Sequence, residues 1–238
     1  MKNMFKALTP FLCGFSFLGI AQTPVPQIDL QVSFAMPFNE TAVSDASAVS
    51  SLFSIGFGGG FSMPISENWP IRVGMNLRYM WLGSESKDFY FEDSEGDTYN
   101  LESKVRGAMT PLHLTLRIDP MDYIDFPVLP YVGAFAGIRF FNTNNKITID
   151  YENGSEPDED NNREVSVSSS YGFELGMHIK VSKGFLLDFK YEHAYGGWAK
   201  YLDLSSIEID NSGRAQYDRL ETRTDVAIYT IGLTVLLE

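Results

Sequence analysis

Three histidines, a run of serines and several close-set acids are the residues of this chain that could do bond-making chemistry. His193 follows Glu192, and Ser168, Ser169 and Ser170 end a neighbouring segment, so a Ser-His-Glu hydrolytic relay is the first arrangement to test. If the segment around Glu192 is a strand, adjacent side chains face opposite ways and these two cannot bond side chain to side chain. His113 and His178 fall in alternating segments and read as polar residues of an interior. Asp158, Glu159 and Asp160 could gather calcium, but they lack the spacing of an EF-hand loop and read as a solvated acidic loop. Gly58, Gly59 and Gly60 have no following Lys-Ser or Lys-Thr, which dismisses a phosphate loop. The single cysteine, Cys13, offers neither a disulfide nor a cysteine metal site. No catalytic, cofactor or metal-ligating residue is assigned, and the chain reads as non-enzymatic, with a lipid hydrolase as the lesser reading.

A second set of residues points to structural electrostatics. Arg72, Arg78, Glu102, Arg106, Arg139, Glu174, Asp188, Lys190 and Glu192 sit in segments where polar and apolar residues alternate. Charges of both signs on one face, mixed with glycines, suit a narrow enclosed space. An unpaired charge there costs several kcal/mol, so opposite signs should meet.

The elements that must position them are strands. Ile28, Leu30, Val32, Phe34 and Met36 alternate with Asp29, Gln31, Ser33 and Ala35. Phe53 to Met63 sets large apolar residues against Ser54, Gly56, Gly58, Gly60 and Ser62, and Ile71 to Trp81 alternates against Arg72, Gly74, Asn76 and Arg78. In the fourth segment Leu101 and Val105 are out of phase with Leu112, Leu114, Leu116 and Ile118, so a bulge is expected near Met109 to Pro111. Four more alternating runs follow within 131–140, 171–181, 185–192 and 229–237. Most reach the ~9–11 residues that cross a bilayer at a tilt. The connections 39–50, 83–99, 142–164 and 194–222 are long and polar, whereas 64–70, 119–127 and 182–184 are short. Long loops on one side and short turns on the other is the layout of an outer-membrane barrel, with both ends of the barrel on the short-turn side.

Composition agrees. Mean hydropathy is only −0.10 over 238 residues, as expected when lipid-facing and lumen-facing residues cancel. Residues 1–21 carry Lys2 and Lys6, an apolar run from Phe11 to Ile20, and small residues before a cut between Ala21 and Gln22. That is the pattern of a cleaved signal peptide, leaving 22–238 as the barrel. The remaining 16 basic and 31 acidic residues give a net charge of −15, which argues against a nucleic-acid partner. A soluble sandwich would alternate as well, but its polar face would not combine glycines with long cations. Gly56, Gly58 and Gly60 beside Arg72 and Arg78 are what a filled lumen requires. Trp69, Tyr79, Trp81, Tyr123, Tyr131, Tyr191 and Trp198 fall near strand ends, as interfacial girdles do.

The expected fold is therefore all-β, an eight-stranded antiparallel transmembrane β-barrel with short periplasmic turns and long extracellular loops. PYVGAFAGIRFF at 130–141 and YGFELGMHIKVSKGFLLDFKYEHAYGG at 171–197 resemble the outer membrane protein beta-barrel domain family, which includes PorT-like and small OmpA- and OmpX-like barrels. The carriers are a Gly-x-x-x-Gly, a Ser-Lys-Gly turn, an aromatic strand and a closing Tyr-Gly. The resemblance implies fold and an outer-membrane location in a Gram-negative-type envelope. Outer-membrane lipid is the expected partner, with envelope or extracellular proteins engaged through acidic loops; the oligomeric state is open. A structural or surface-interaction role around a side-chain-filled lumen is the first functional expectation. A narrow pore for small or apolar solutes and a PorT-like part in a secretion machine are the alternatives.

Overall fold

The computed structural model describes residues 25–37, 54–66, 68–92, 98–122, 124–151, 158–202, 208–209, 215–216 and 219–237. The expected signal peptide 1–21, its cut at Ala21 and Gln22, the loop 39–50 and Tyr123 lie outside the described residues.

Twelve strands are described: β1 (Gln27–Pro37), β2 (Ser54–Ser66), β3 (Trp69–Glu92), β4 (Thr98–Ile118), β5 (Val128–Tyr151), β6 (Asp158–Ser182), β7 (Phe185–Gly196), β8 (Trp198–Leu202), β9 (Glu208–Ile209), β10 (Ala215–Gln216), β11 (Arg219–Arg223) and β12 (Val226–Leu236). Eight of them close a barrel in the order β1-β12-β7-β6-β5-β4-β3-β2. The barrel pairs are antiparallel, and β1 closes the ring against β12, with Gln27 opposite Leu236 and Pro37 opposite Val226. Closure leaves no open sheet edge around the ring.

The alternation read from the sequence sets the two faces. In β1 the residues Gln27, Asp29, Gln31, Ser33 and Ala35 are buried, while Ile28, Leu30, Val32 and Met36 are exposed. The same inversion runs around the ring: Arg72, Arg78 and Arg139 are the largest fully buried side chains, and Leu30, Phe57, Leu77, Leu114, Leu175 and Ile231 lie outside. In water such an exterior would be a large unfavourable apolar surface. In a bilayer it is the favourable face, and every barrel strand has at least 11 residues, enough to cross.

The wall is uneven. The strands β3 to β6 have 21 to 25 residues, against 11 to 13 in β7, β12, β1 and β2. They run roughly ten residues further, about 35 Å along the strand, and form a projecting four-stranded sheet. The segments 83–99 and 142–164, expected as loops, are largely these strands, and 194–222 holds the end of β7 and the short strands β8 to β11. The backbone of Asp158 to Asp160 pairs with Ile149 to Ile147, so the acids belong to a strand and not to a loop.

The expected bulge in β4 is not there. Leu101, Ser103, Val105, Met109, Pro111, His113, Thr115 and Arg117 keep one inward phase, and the register shift lies in β3 between Trp81 and Gly83. Gly83 has φ 126°, a conformation that only glycine adopts without strain. Inward leucine and valine in the projecting part of β4 mimic a phase break without making one.

Candidate functional site: the charged interior

At the short-turn end, Asp119 follows β4 and leads into a single 3-10 turn, Pro120–Asp122. Met121 folds inward there, with its N–H bonded to Asp119 Oδ1 at 3.1 Å, and joins Leu129 and Leu186 in an apolar cluster that Ile124 and Leu236 border. At the long-hairpin end, Ala35, Met80, Met109 and Ile228 form a second cluster, bordered by Leu82, Phe141 and Val226. Most of the charged side chains lie between these two apolar clusters, and Arg139 reaches the Thr224 carbonyl at the long-hairpin mouth.

The first group of charges centres on β4, β6 and β7. Arg117 is ion-paired with Glu174 through Nε, stands 3.6 Å from Asp29, and lies over the Tyr131 ring at 5.2 Å. Thr234 donates to Asp29 at 2.6 Å. His178 bridges two acids, with Nε2 3.1 Å from Asp119 and Nδ1 3.4 Å from Asp188, and Tyr131 donates to Asp188 at 2.8 Å. The second group centres on Glu192, which takes Arg78 at 2.5 Å and Lys190 at 3.0 Å. Lys190 links the two groups, standing 4.0 Å from Glu174. The buried cations Arg72, Arg78, Arg117, Arg139 and Lys190 match in number the buried acids Asp29, Asp119, Glu174, Asp188 and Glu192. Among the described residues, with histidines neutral, the interior therefore carries no formal excess of either sign.

Asp119 is the titratable group at the mouth. Burial opposes its ionisation, but the bond to His178, the nearby Arg72 charge and the Met121 N–H together hold its carboxyl below its ordinary value. On the exposed rim, Lys180 at 2.8 Å holds the Asp125 carboxyl below its usual range.

Small residues make room for the long ones. A side chain at Gly58 would strike the Arg78 side chain opposite it. Gly172 and Gly176, the Gly-x-x-x-Gly of β6, give way to Phe135 and Tyr131 of β5. Those rings in turn stack on His113 and His178, at 4.5 and 4.6 Å between centroids. The motif is thus a steric device that seats two aromatic rings inside the barrel.

The structure separates the predicted residues. Arg72, Arg78, Arg139, Glu174, Asp188, Lys190 and Glu192 are buried in the interior. Glu102 and Arg106 are not: they lie on the exposed face of the projecting part of β4, because the inward phase there belongs to Leu101, Ser103 and Val105. Tyr131, expected in an interfacial girdle, is buried, since it shares the phase of Phe135 and Arg139 and Gly176 leaves it space. Trp69, Tyr79, Trp81 and Trp198 are exposed. Asp29, Arg117 and Asp119 take part in the network but escaped the expectation; Arg117 has the parity of His113 and Thr115 and was findable on that count.

The hydrolytic relay is not assembled. Glu192 points inward to Arg78, and His193 points outward, stacked on Phe173 at 5.2 Å and 3.2 Å from the Tyr191 hydroxyl. Ser170 is bonded instead to His113 at 3.0 Å.

A closed antiparallel sheet with an apolar outside and a charge-filled inside defines an outer-membrane-type β-barrel. No family model matches the chain, and no curated protein matches it. Among solved structures it is similar to Neisserial surface protein A (NspA), at 15% identity over 90% of this chain and 97% of that chain, with a TM-score of 0.42. It is also similar to the outer membrane protein OprG from Pseudomonas aeruginosa, at 12% identity over 92% and 99%, with a TM-score of 0.47. A major outer membrane protein from Thermus thermophilus matches at 12% identity over 89% and 99%, with a TM-score of 0.46.

Proposed function

We propose that this chain is a non-enzymatic outer-membrane barrel whose interior is plugged by its own side chains and whose role is structural or surface-interacting. The observation that carries the reading is the balanced charge network held mostly between two apolar clusters. A conducting lumen needs a continuous wet path. Here Met121, Leu129 and Leu186 stand at one end and Ala35, Met80, Met109 and Ile228 at the other. Eight strands enclose a space that side chains can fill. The surplus negative charge then belongs to the outward parts, where it repels other anionic surfaces and favours cationic partners. The projecting sheet of β3 to β6 offers a surface for such contacts.

The resemblance of 130–141 and 171–197 to PorT-like barrels rests on residues that seat rings and turn the chain, so it supports the fold more than a secretion role. Fractionation tests the reading. A band that shifts between unheated and boiled samples should travel with the outer membrane, and deletion of the gene should leave protein secretion intact. Absence from that membrane would overturn the proposal, and lost secretion with co-purifying envelope proteins would favour the PorT-like role.

A further inference from the structure

The interior charges balance in total but not along the barrel. Toward the short-turn end, Arg72 and Arg117 share the space with Asp29, Asp119, Glu174 and Asp188. Toward the long-hairpin end, Arg78, Lys190 and Arg139 have Glu192 among them. Glu192 is committed to Arg78 at 2.5 Å and Lys190 at 3.0 Å. Arg139 has no carboxylate within ion-pair distance among the described residues; its Nη1 donates to the backbone carbonyl of Thr224. Asp225, the acid at that mouth, accepts the Gly196 N–H at 2.8 Å and stands 4.0 Å from Arg223.

Four guanidinium nitrogens remain without a hydrogen-bond partner among the described residues: Nε and Nη1 of Arg78, and Nε and Nη2 of Arg139. Both side chains are buried, at 1% and 0% exposure. They stand on the inner face of two strands separated by β4. Pro111 of β4 is opposite Arg139 of β5, and Leu112 is opposite Leu77, the residue before Arg78 on β3. The two arginines thus flank the proline strand, two strand spacings or about 9.6 Å apart at the backbone. Below them lies His113, with Nδ1 3.4 Å from Arg78. On the other side of Arg78 lie Met80 and Met109, while Arg139 reaches the Thr224 carbonyl at the mouth.

A guanidinium does not shed its proton, so neutralisation must come from a counter-charge. Water could satisfy the four donors, but Glu192 and Asp225, the acids that act on Arg139, stand beyond ion-pair distance and are engaged elsewhere, so water would leave its charge only partly compensated. We propose that Arg78 and Arg139 together hold a compact inorganic anion of the chloride class in the outer half of the lumen. Met80, Met109 and His113, on the two sides of Arg78, limit its size. The site does not depend on whether the barrel conducts, because it follows from local charge alone.

Bromide is the direct probe. Crystals grown from protein refolded in bromide, so that the anion is present when the barrel closes, should show an anomalous peak touching both guanidinium groups; a map without a peak there overturns the proposal. In solution, replacing gluconate by chloride at constant ionic strength should raise the Tm of the wild-type barrel saturably, as a ligand of the native state does. Arg139→Met should abolish that rise. The wild-type map and titration decide the matter even if this variant does not fold, and a wild-type Tm indifferent to chloride would also count against the site.

Discussion

The Tyr131 hydroxyl donates a 2.8 Å hydrogen bond to Asp188 from a ring seated over Gly176, so one glycine on β6 lets a residue of β5 reach a residue of β7. The ring also stacks on His178 and lies under Arg117. Packing and charge pairing are thus one construction at this level of the barrel.

Gly176→Val should break it. A Cβ there falls within the Tyr131 ring, and overpacking of a filled interior costs about 1–3 kcal/mol. Gly184→Ala, where nothing lies within 4 Å, should stay within about 0.5 kcal/mol of wild type. Urea midpoints of the barrel refolded in vesicles measure both.

Removing one partner of the buried pair is the sharper electrostatic test. Among the described residues, Arg117→Met leaves Glu174 with the 4.0 Å contact to Lys190 as its one cationic partner and should cost about 3–5 kcal/mol. The double variant Arg117→Met with Glu174→Gln should recover part of that loss, because Lys190 retains Glu192 at 3.0 Å. A double-mutant cycle by urea unfolding yields the coupling.

Acid should weaken the short-turn mouth. The Asp119 carboxyl is held below its ordinary value of 3.8, so its contribution is complete above that value and disappears as the pH falls through the lower, folded one. Asp119→Asn should therefore be less stable than wild type at pH 6, with the gap closing below pH 3.8. Unfolding midpoints from pH 6 down to pH 2 follow the two curves.

The outer face predicts the reverse of a soluble protein. Leu114 is exposed in the middle of the apolar band, and Leu114→Arg should cost about 2–4 kcal/mol in a bilayer. Arg106→Leu, on the exposed side of the projecting sheet, should change stability by less than about 0.5 kcal/mol. Equilibrium folding into vesicles distinguishes them.

Where one face meets lipid and the other an interior, the period of two is plain in the sequence, and the inward phases of Arg72, Arg78, Arg139 and Glu174 follow from it. Beyond the bilayer that contrast fades. Lys87, Asn144 and Asn162 lie in strands whose faces are both largely polar, so β3 to β6 read as loops there. The misplaced bulge has the same origin: inward Leu101 and Val105 look like outward residues when apolar is equated with lipid-facing. The same equation places Glu102 and Arg106 in the interior, although both are exposed. The network's partners are less legible still, since His178 meets Asp119 across a separation of 59 positions and over the intervening strand β5.

Single-channel recording in planar bilayers tests the central claim, that the barrel spans a membrane with its interior closed. The same reconstituted sample, shown to be inserted by its heat-dependent migration, should give no steady ohmic current. A stable ohmic conductance from the wild-type barrel would contradict the account.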